Sequence, residues 1–226
     1  MAAILKVRDL KKHFPVNTGV LASLTGRTGL VRAVDGVSFD LERGAALGLV
    51  GESGCGKTTT GRLLLRLIEP TSGSMVFDGV DVTTLKGAGL KAFRRKAQLV
   101  FQNPYEALNP RFTIRASIAE PLINAGIPRE EHQDRIVRAM ERVHLHNPSR
   151  YLDTYPHLLS GGQLQRVVLA RALVLEPAFI VADEPVSMLD VSVRAGILNV
   201  MREARDELGL SAIYISHDLA LIRYVC

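Results

Sequence analysis

The feature that most limits what this chain can fold into is the octet Gly51-Glu-Ser-Gly-Cys-Gly-Lys-Thr58. It matches the phosphate-binding pattern G-x-x-x-x-G-K-[ST] in full. Its setting matters as much as its letters. Ala45-Ala-Leu-Gly-Leu-Val50 leads into it as a continuous apolar run, the mark of a strand buried on both faces. A helical pattern leaves it, from about Thr58 to Ile68, and Glu69-Pro-Thr-Ser-Gly ends that helix. Gly51, Gly54 and Gly56 allow backbone N–H groups to turn inward around an anion, and the helix N-terminus adds the positive end of its dipole. Lys57 is placed to bridge β- and γ-phosphates, and the Thr58 hydroxyl to ligate Mg²⁺. Glu52, Ser53, Cys55 and Thr59 complete the stretch expected to contact nucleotide. Without its strand and helix, the same octet could be a structural turn carrying an exposed lysine.

The rest of the chain extends this into an α/β organisation. Residues 4–50 read mainly as short strands, with 17–30, rich in Gly, Ser and Thr, as a loop. Strand and turn character returns over 73–85. From about 86 to 158 the chain is more helical and polar, with prolines at 104, 110, 121, 128, 148 and 156, as a separate helical subdomain would be. Next come a helix over 161–175, a strand over 178–183, a helix near 192–208, a strand over 211–216 and a helix start at Asp218. This alternation implies a mainly parallel sheet with helices on both faces.

Two further elements bear on chemistry. Phe179-Ile-Val-Ala-Asp183 is an apolar strand ending on an acid, followed at once by Glu184. Asp183 could hold Mg²⁺ and Glu184 could polarise a water as general base, a role worth roughly 10²–10⁴ in rate. The pair could equally cap the turn at Pro185. Leu159-Ser-Gly-Gly-Gln163 opens a helix with two glycines between a hydroxyl and an amide. Ser160 alone would make a good N-cap. Capping does not need Gly161 and Gly162, each of which weakens a helix by up to about 1 kcal/mol relative to Ala. Their presence predicts that something approaches the backbone closely, as at a second anion-binding helix terminus that also uses Gln163.

Taken in order, the octet 51–58, Val-Phe-Gln102-Asn-Pro, the 159–163 motif, the strand with its acids, Ser187-Met-Leu-Asp190 and His217 resemble the nucleotide-binding domain of ABC (ATP-binding cassette) transporters over nearly the whole chain. The resemblance implies a P-loop NTPase core with an N-terminal antiparallel β subdomain and an inserted helical subdomain over about 86–158, all within a single domain. It implies that Gln102 senses the γ-phosphate and contributes to the Mg²⁺ site. By the same resemblance His217 holds the γ-phosphate and attacking water, Asp190 lies at a dimer interface, and Phe14 stacks on adenine. Taken alone, His217 could be a plain surface residue and Phe14 a core aromatic. Two such domains pair head to tail in this family, so that the 159–163 motif of one covers ATP on the P-loop of the other.

Val31-Arg-Ala-Val-Asp-Gly-Val-Ser-Phe, Leu108-Asn-Pro-Arg, Ala119-Glu-Pro-Leu and Glu184-Pro-Val-Ser look like the dipeptide and oligopeptide importer branch. That branch implies a second ATPase subunit, two integral membrane permease subunits docking on 103–158, an extracytoplasmic substrate-binding protein, and a peripheral place on the cytoplasmic face of the membrane. ATP and Mg²⁺ are the expected cofactors. Leu158, Leu164 and Met188 depart from the branch without removing a catalytic group. The alternatives are a non-transport ABC ATPase or a catalytically weak subunit. The chain ends at Cys226 inside an expected helix, which is read as C-terminal truncation. The net charge of +5 suits a phosphate-handling protein, and nucleic acid is not expected as a partner. Only Cys55 and Cys226 occur, without metal-ligand spacing, which reads as a reducing compartment.

Overall fold

The computed structural model describes residues 2–16 and 29–226. Residues 17–28, most of the expected loop, lie outside the described residues; Gly29 and Leu30, placed in that loop by the sequence reading, are strand. In place of several short strands come two long ones, β1 (Ala3–Val16) and β2 (Gly29–Glu42), 14 residues each. Their antiparallel register shifts between Val7 and Leu10 and again between Lys12 and His13. Such bulges interrupt the apolar alternation without ending the pairing, so a continuous strand looks broken in the sequence. β4 (Ser72–Phe77) pairs antiparallel with the other edge of β1, and β5 (Val80–Asp81) returns beside it, giving the order β2-β1-β4-β5.

A second sheet is parallel throughout, in the order β3 (Ala46–Val50), β8 (Ser211–Ser216), β7 (Phe179–Asp183), β6 (Ala97–Val100). β6 falls inside the stretch read as helical. The helix α2 (Gly87–Lys96) runs straight into it with no glycine or proline between, and what makes it a strand is its pairing with β7, from Ala97 opposite Phe179 to Val100 opposite Ala182. Pairing of this kind is a long-range fact invisible to local pattern.

Helix α1 (Lys57–Leu64) is shorter than expected. Arg66 adopts φ +53°, so the chain turns through a left-handed residue: the Leu67 N–H donates to Arg62 O at 2.9 Å and the Arg66 N–H to Leu63 O at 2.9 Å. This is the hydrogen-bond pattern of a Schellman stop, made here with arginine in place of glycine. The Arg66 Nε donates to Val82 O at 3.0 Å and ties the turn to the strand region. The remaining helices are α3 (Pro104–Ala107), α4 (Ile114–Ala125), α5 (Arg129–Arg142), α6 (Ser149–Leu152), α7 (Gly161–Leu173), α8 (Val191–Leu208) and α9 (Leu219–Val225).

The two central strands, β7 and β8, are buried throughout, and their side chains divide by alternation; β3, expected from its apolar run to be buried on both faces, is an edge strand that is only half-buried, with Val50 exposed. Phe179, Val181, Ile213 and Ile215 join Leu63 and Leu64 of α1 and Leu5 and Met75 of the antiparallel sheet in one apolar cluster. Ile180, Ala182, Ala212 and Tyr214 join Val168 of α7 and Ile197 of α8 in another. Ile118 and Leu122 of α4 and Ile136 and Met140 of α5 belong to that second cluster, so the helical segment shares its core with the sheet. Each fully buried Val, Leu, Ile, Phe or Met side chain among them contributes about 1.5–3 kcal/mol. No helix among the described residues is long and apolar enough to cross a membrane.

Candidate functional site

Each of the four parallel strands hands the chain to a functional segment at its carboxyl end. β3 leads into the glycine loop, β6 into Gln102, β7 ends on Asp183 before Glu184, and β8 leads to His217. Ligands of open parallel α/β sheets gather at this edge. The cleft there has a volume of about 440 Å³ and is lined by the glycine loop from Ser53 to Thr59, by Gln102 and Glu184, and by Val31, Arg32 and Ala33 of β2.

The loop is built by its glycines. Gly54 and Gly56 take φ +82° and +95°, and Gly56 immediately precedes α1. A Cβ on Gly56 would lie 2.1 Å from the carbonyl oxygen of Ala33. Main chain from the antiparallel sheet therefore fills the space behind the loop, and only glycine passes. Lys57 is almost fully buried, and its ammonium donates to Gly51 O and Glu52 O at 2.7 Å each, with Cys55 Sγ at 3.8 Å. The loop thus holds its own cation in place in the wall of the cleft.

Glu184 lines the cleft opposite the loop, while Asp183 lines an adjoining recess that shares Thr58 and Gln102 with it. Burial pushes the Asp183 carboxyl above the usual aspartate range; a hydrogen bond with Thr58 opposes this, the Glu184 charge adds to it, and Arg62 and Lys57 pull it back. A buried carboxylate beside a hydroxyl and an amide is a donor set that fits Mg²⁺, which takes one or two protein oxygens and fills its octahedron from water and phosphates. Among the described residues no group of three or more His, Cys, Asp or Glu side chains could cage a metal alone, and a phosphate-completed Mg²⁺ site needs none. Glu184 has φ +45°, an uncommon backbone for a non-glycine residue. Its carboxylate is held from two sides: Gln102 Nε2 donates to Oε2 at 3.0 Å, and His217 Nδ1 lies 2.9 Å from Oε1. The side chain of Glu184 is 19% exposed while that of His217 is 66% exposed, so the acid is sheltered and the imidazole faces solvent.

The second glycine motif stands apart. Ser160 caps α7 in a capping box, its Oγ accepting from the Gln163 N–H while Gln163 Oε1 accepts from the Ser160 N–H. None of Ser160, Gly161, Gly162 or Gln163 lines the cleft. The close approach predicted for the glycines is partly supplied by this chain: a Cβ on Gly162 would meet Val193 Cγ1 at 2.7 Å, whereas one on Gly161 would meet only Leu189 Cδ2, at an ordinary 3.5 Å. Asp190 precedes α8 with an exposed side chain that caps nothing. Phe14 pairs with Val31 across the antiparallel ladder and lies under the Lys12 ammonium at 5.1 Å; it is exposed and does not itself line the cleft. Sequence reasoning missed Arg32 and Ala33, whose place over the loop follows from the fold of the antiparallel sheet.

The sequence pattern of the ABC transporter family matches residues 34–187. The chain belongs to the ABC transporter family. It is similar to the dipeptide transport ATP-binding protein DppF of Escherichia coli, 47% identical over 98% of this chain and 65% of that protein. The oligopeptide transport ATP-binding protein AppF of Bacillus subtilis is 46% identical over 98% of this chain and 67% of its own length. The chain thus spans about two thirds of these relatives. Among solved ABC structures, the dimeric bacterial ABC transporter cassette MJ0796 superposes with a TM-score of 0.82 at 27% identity, over 97% of this chain and 90% of that one. A dimeric post-hydrolysis state of the same cassette, bound to ADP and Pi, gives the same values.

Proposed function

We propose that this ABC protein binds and hydrolyses ATP as the motor subunit of a peptide importer. The observation that carries this reading is the carboxylate of Glu184, sheltered at the strand ends beside the glycine loop and held on one oxygen by Gln102 and on the other by His217. Lys57 and the loop N–H groups neutralise and orient the phosphates of ATP, consistent with the left-handed glycines and the fixed ammonium. Glu184 takes the proton of the attacking water as the oxygen–phosphorus bond forms and the bond to the ADP oxygen breaks. Gln102 keeps the carboxylate aimed, and His217 steadies the charge. Mg²⁺, held by Thr58, Gln102 and Asp183, would supply charge neutralisation on the phosphates.

The peptide cargo is supported by the names of the relatives, and pairing by the dimeric cassettes. The capping-box helix start at Ser160–Gln163 and the exposed Asp190 are then surfaces offered to a second ATPase subunit. Exposed Tyr105 and Phe112 in 103–158 support this segment as the dock for two membrane permease subunits at the cytoplasmic face. An extracytoplasmic substrate-binding protein completes the assembly. Light scattering on purified Glu184→Gln protein tests the core of the reading. Mg-ATP binding with an ATP-dependent monomer-to-dimer shift, and hydrolysis reduced by roughly 10²–10⁴, is the expected result; a chain that binds no ATP refutes it.

A further inference from the structure

Arg194 lies half-buried in the first turn of α8. It lines a small cavity of about 80 Å³ that shares Glu184 with the phosphate cleft but none of the cleft's other walls. A cation is disfavoured at this end of a helix, whose N-terminus is itself positive. Nor does its guanidinium form an ion pair among the described residues. Both of its engaged nitrogens go to main chain instead: Nε donates to Leu189 O at 2.9 Å and Nη2 to Ser187 O at 3.4 Å. Ser187 in turn donates twice to Glu184 O, from its N–H at 3.2 Å and from its Oγ at 3.1 Å. The Glu184 N–H donates to Ile215 O at 2.9 Å. The backbone of Glu184 is therefore gripped at both ends, by the parallel sheet on one side and by a turn that Arg194 closes on the other. Held conformations in the left-handed region persist only where the surroundings over-determine them, and this one carries the carboxylate between Gln102 and His217.

We propose that Arg194 is a positioning residue for Glu184: its fork locks the 184–189 turn and so fixes the direction of the carboxylate. This rests on the reading of Glu184 as the base in ATP hydrolysis. The rigid, planar spread of two donors suits two carbonyls of one turn, a geometry that a lysine ammonium does not reproduce.

The test pairs steady-state kinetics with amide hydrogen exchange on Arg194→Ala and Arg194→Lys. Displacing a base by a fraction of its working geometry costs part of its contribution, so kcat for ATP hydrolysis should fall by about 10- to 100-fold in Arg194→Ala, less than in Glu184→Gln. KM and Mg-ATP affinity should stay within about twofold, because the glycine loop is untouched. Arg194→Lys should fall between wild type and Arg194→Ala. Exchange without nucleotide should accelerate over 185–190 and not elsewhere. An unchanged kcat overturns the proposal, as does a loss of affinity and of protection spread over the whole chain. Should wild type bind Mg-ATP and turn none over, the motor reading fails; the local exchange then decides separately whether Arg194 holds the turn.

Discussion

Replacing Gly56 by alanine measures how the glycine loop is braced. The substitution meets two separate penalties. The first is backbone conformation: φ is +95°, and an L-residue in such a region costs about 1–3 kcal/mol. The second is collision: the new Cβ would lie 2.1 Å from the Ala33 carbonyl oxygen and 3.3 Å from its carbon, and main chain cannot rotate away as a side-chain tip can. Forcing an extra carbon into a filled site typically costs about 1–3 kcal/mol more. Together the loss is about 2–6 kcal/mol, a large share of the roughly 5–15 kcal/mol that holds a domain folded. Gly54 provides the control. Its φ is +82°, but nothing lies within 4 Å of its Cβ position, so Gly54→Ala carries the conformational penalty alone. Both variants change the unfolded chain identically, so subtracting one from the other isolates the collision. Urea denaturation followed by circular dichroism, with the slope checked for constancy, reads both values. Equal midpoints for the two variants would refute the bracing of the loop by β2. A Gly56→Ala loss under about 1 kcal/mol would do the same.

Gly161→Ala and Gly162→Ala should act in opposite directions. The first gains helix propensity of up to about 1 kcal/mol at an ordinary contact distance from Leu189, while the second must displace Val193, and Val193→Ala should restore the double variant; thermal melts compare them. Tyr214 is fully buried, its hydroxyl has no partner among the described residues, and burial pushes the phenol from 10.0 up to about 12. Its native state keeps a proton that the unfolded state has lost, so this contribution is complete below pH 10 and disappears as the pH rises through about 12. Tyr214→Phe should abolish the highest-pH step of a phenolate absorbance titration and should not destabilise at pH 7; survival of that step would contradict the burial argument.

Much of the catalytic edge was legible because it is local. The glycine octet, the strand ending on Asp183 and the strand over 211–216 are each written in consecutive residues whose geometry the backbone dictates. What escaped was set by contacts distant in sequence. Ala97–Val100 became strand through β7, against a helix that runs into it without a break. The end of α1 depends on an arginine in a left-handed turn, held by Val82 O some 16 residues away, where local signals name only glycine or asparagine. Arg32 and Ala33 acquire their place on the cleft through the fold of the β1–β2 ladder, which no local pattern reveals. The glycine pair at 161–162 predicts a close approach to the backbone at the helix start. The structure divides that reading, with Gly162 making room for Val193 of its own chain and Gly161 leaving ordinary clearance.

β7 buries all five of its residues, sending Phe179 and Val181 into one apolar cluster and Ile180 and Ala182 into the other. Loss of that strand would take part of the core from both clusters at once. Unfolding is therefore expected as a single concerted event rather than a peeling of layers. Because Asp183 terminates this same strand, a cation held by its carboxylate is coupled to the cohesion of both halves at once, and filling the recess it shares with Thr58 and Gln102 becomes a thermodynamic clamp on the entire domain.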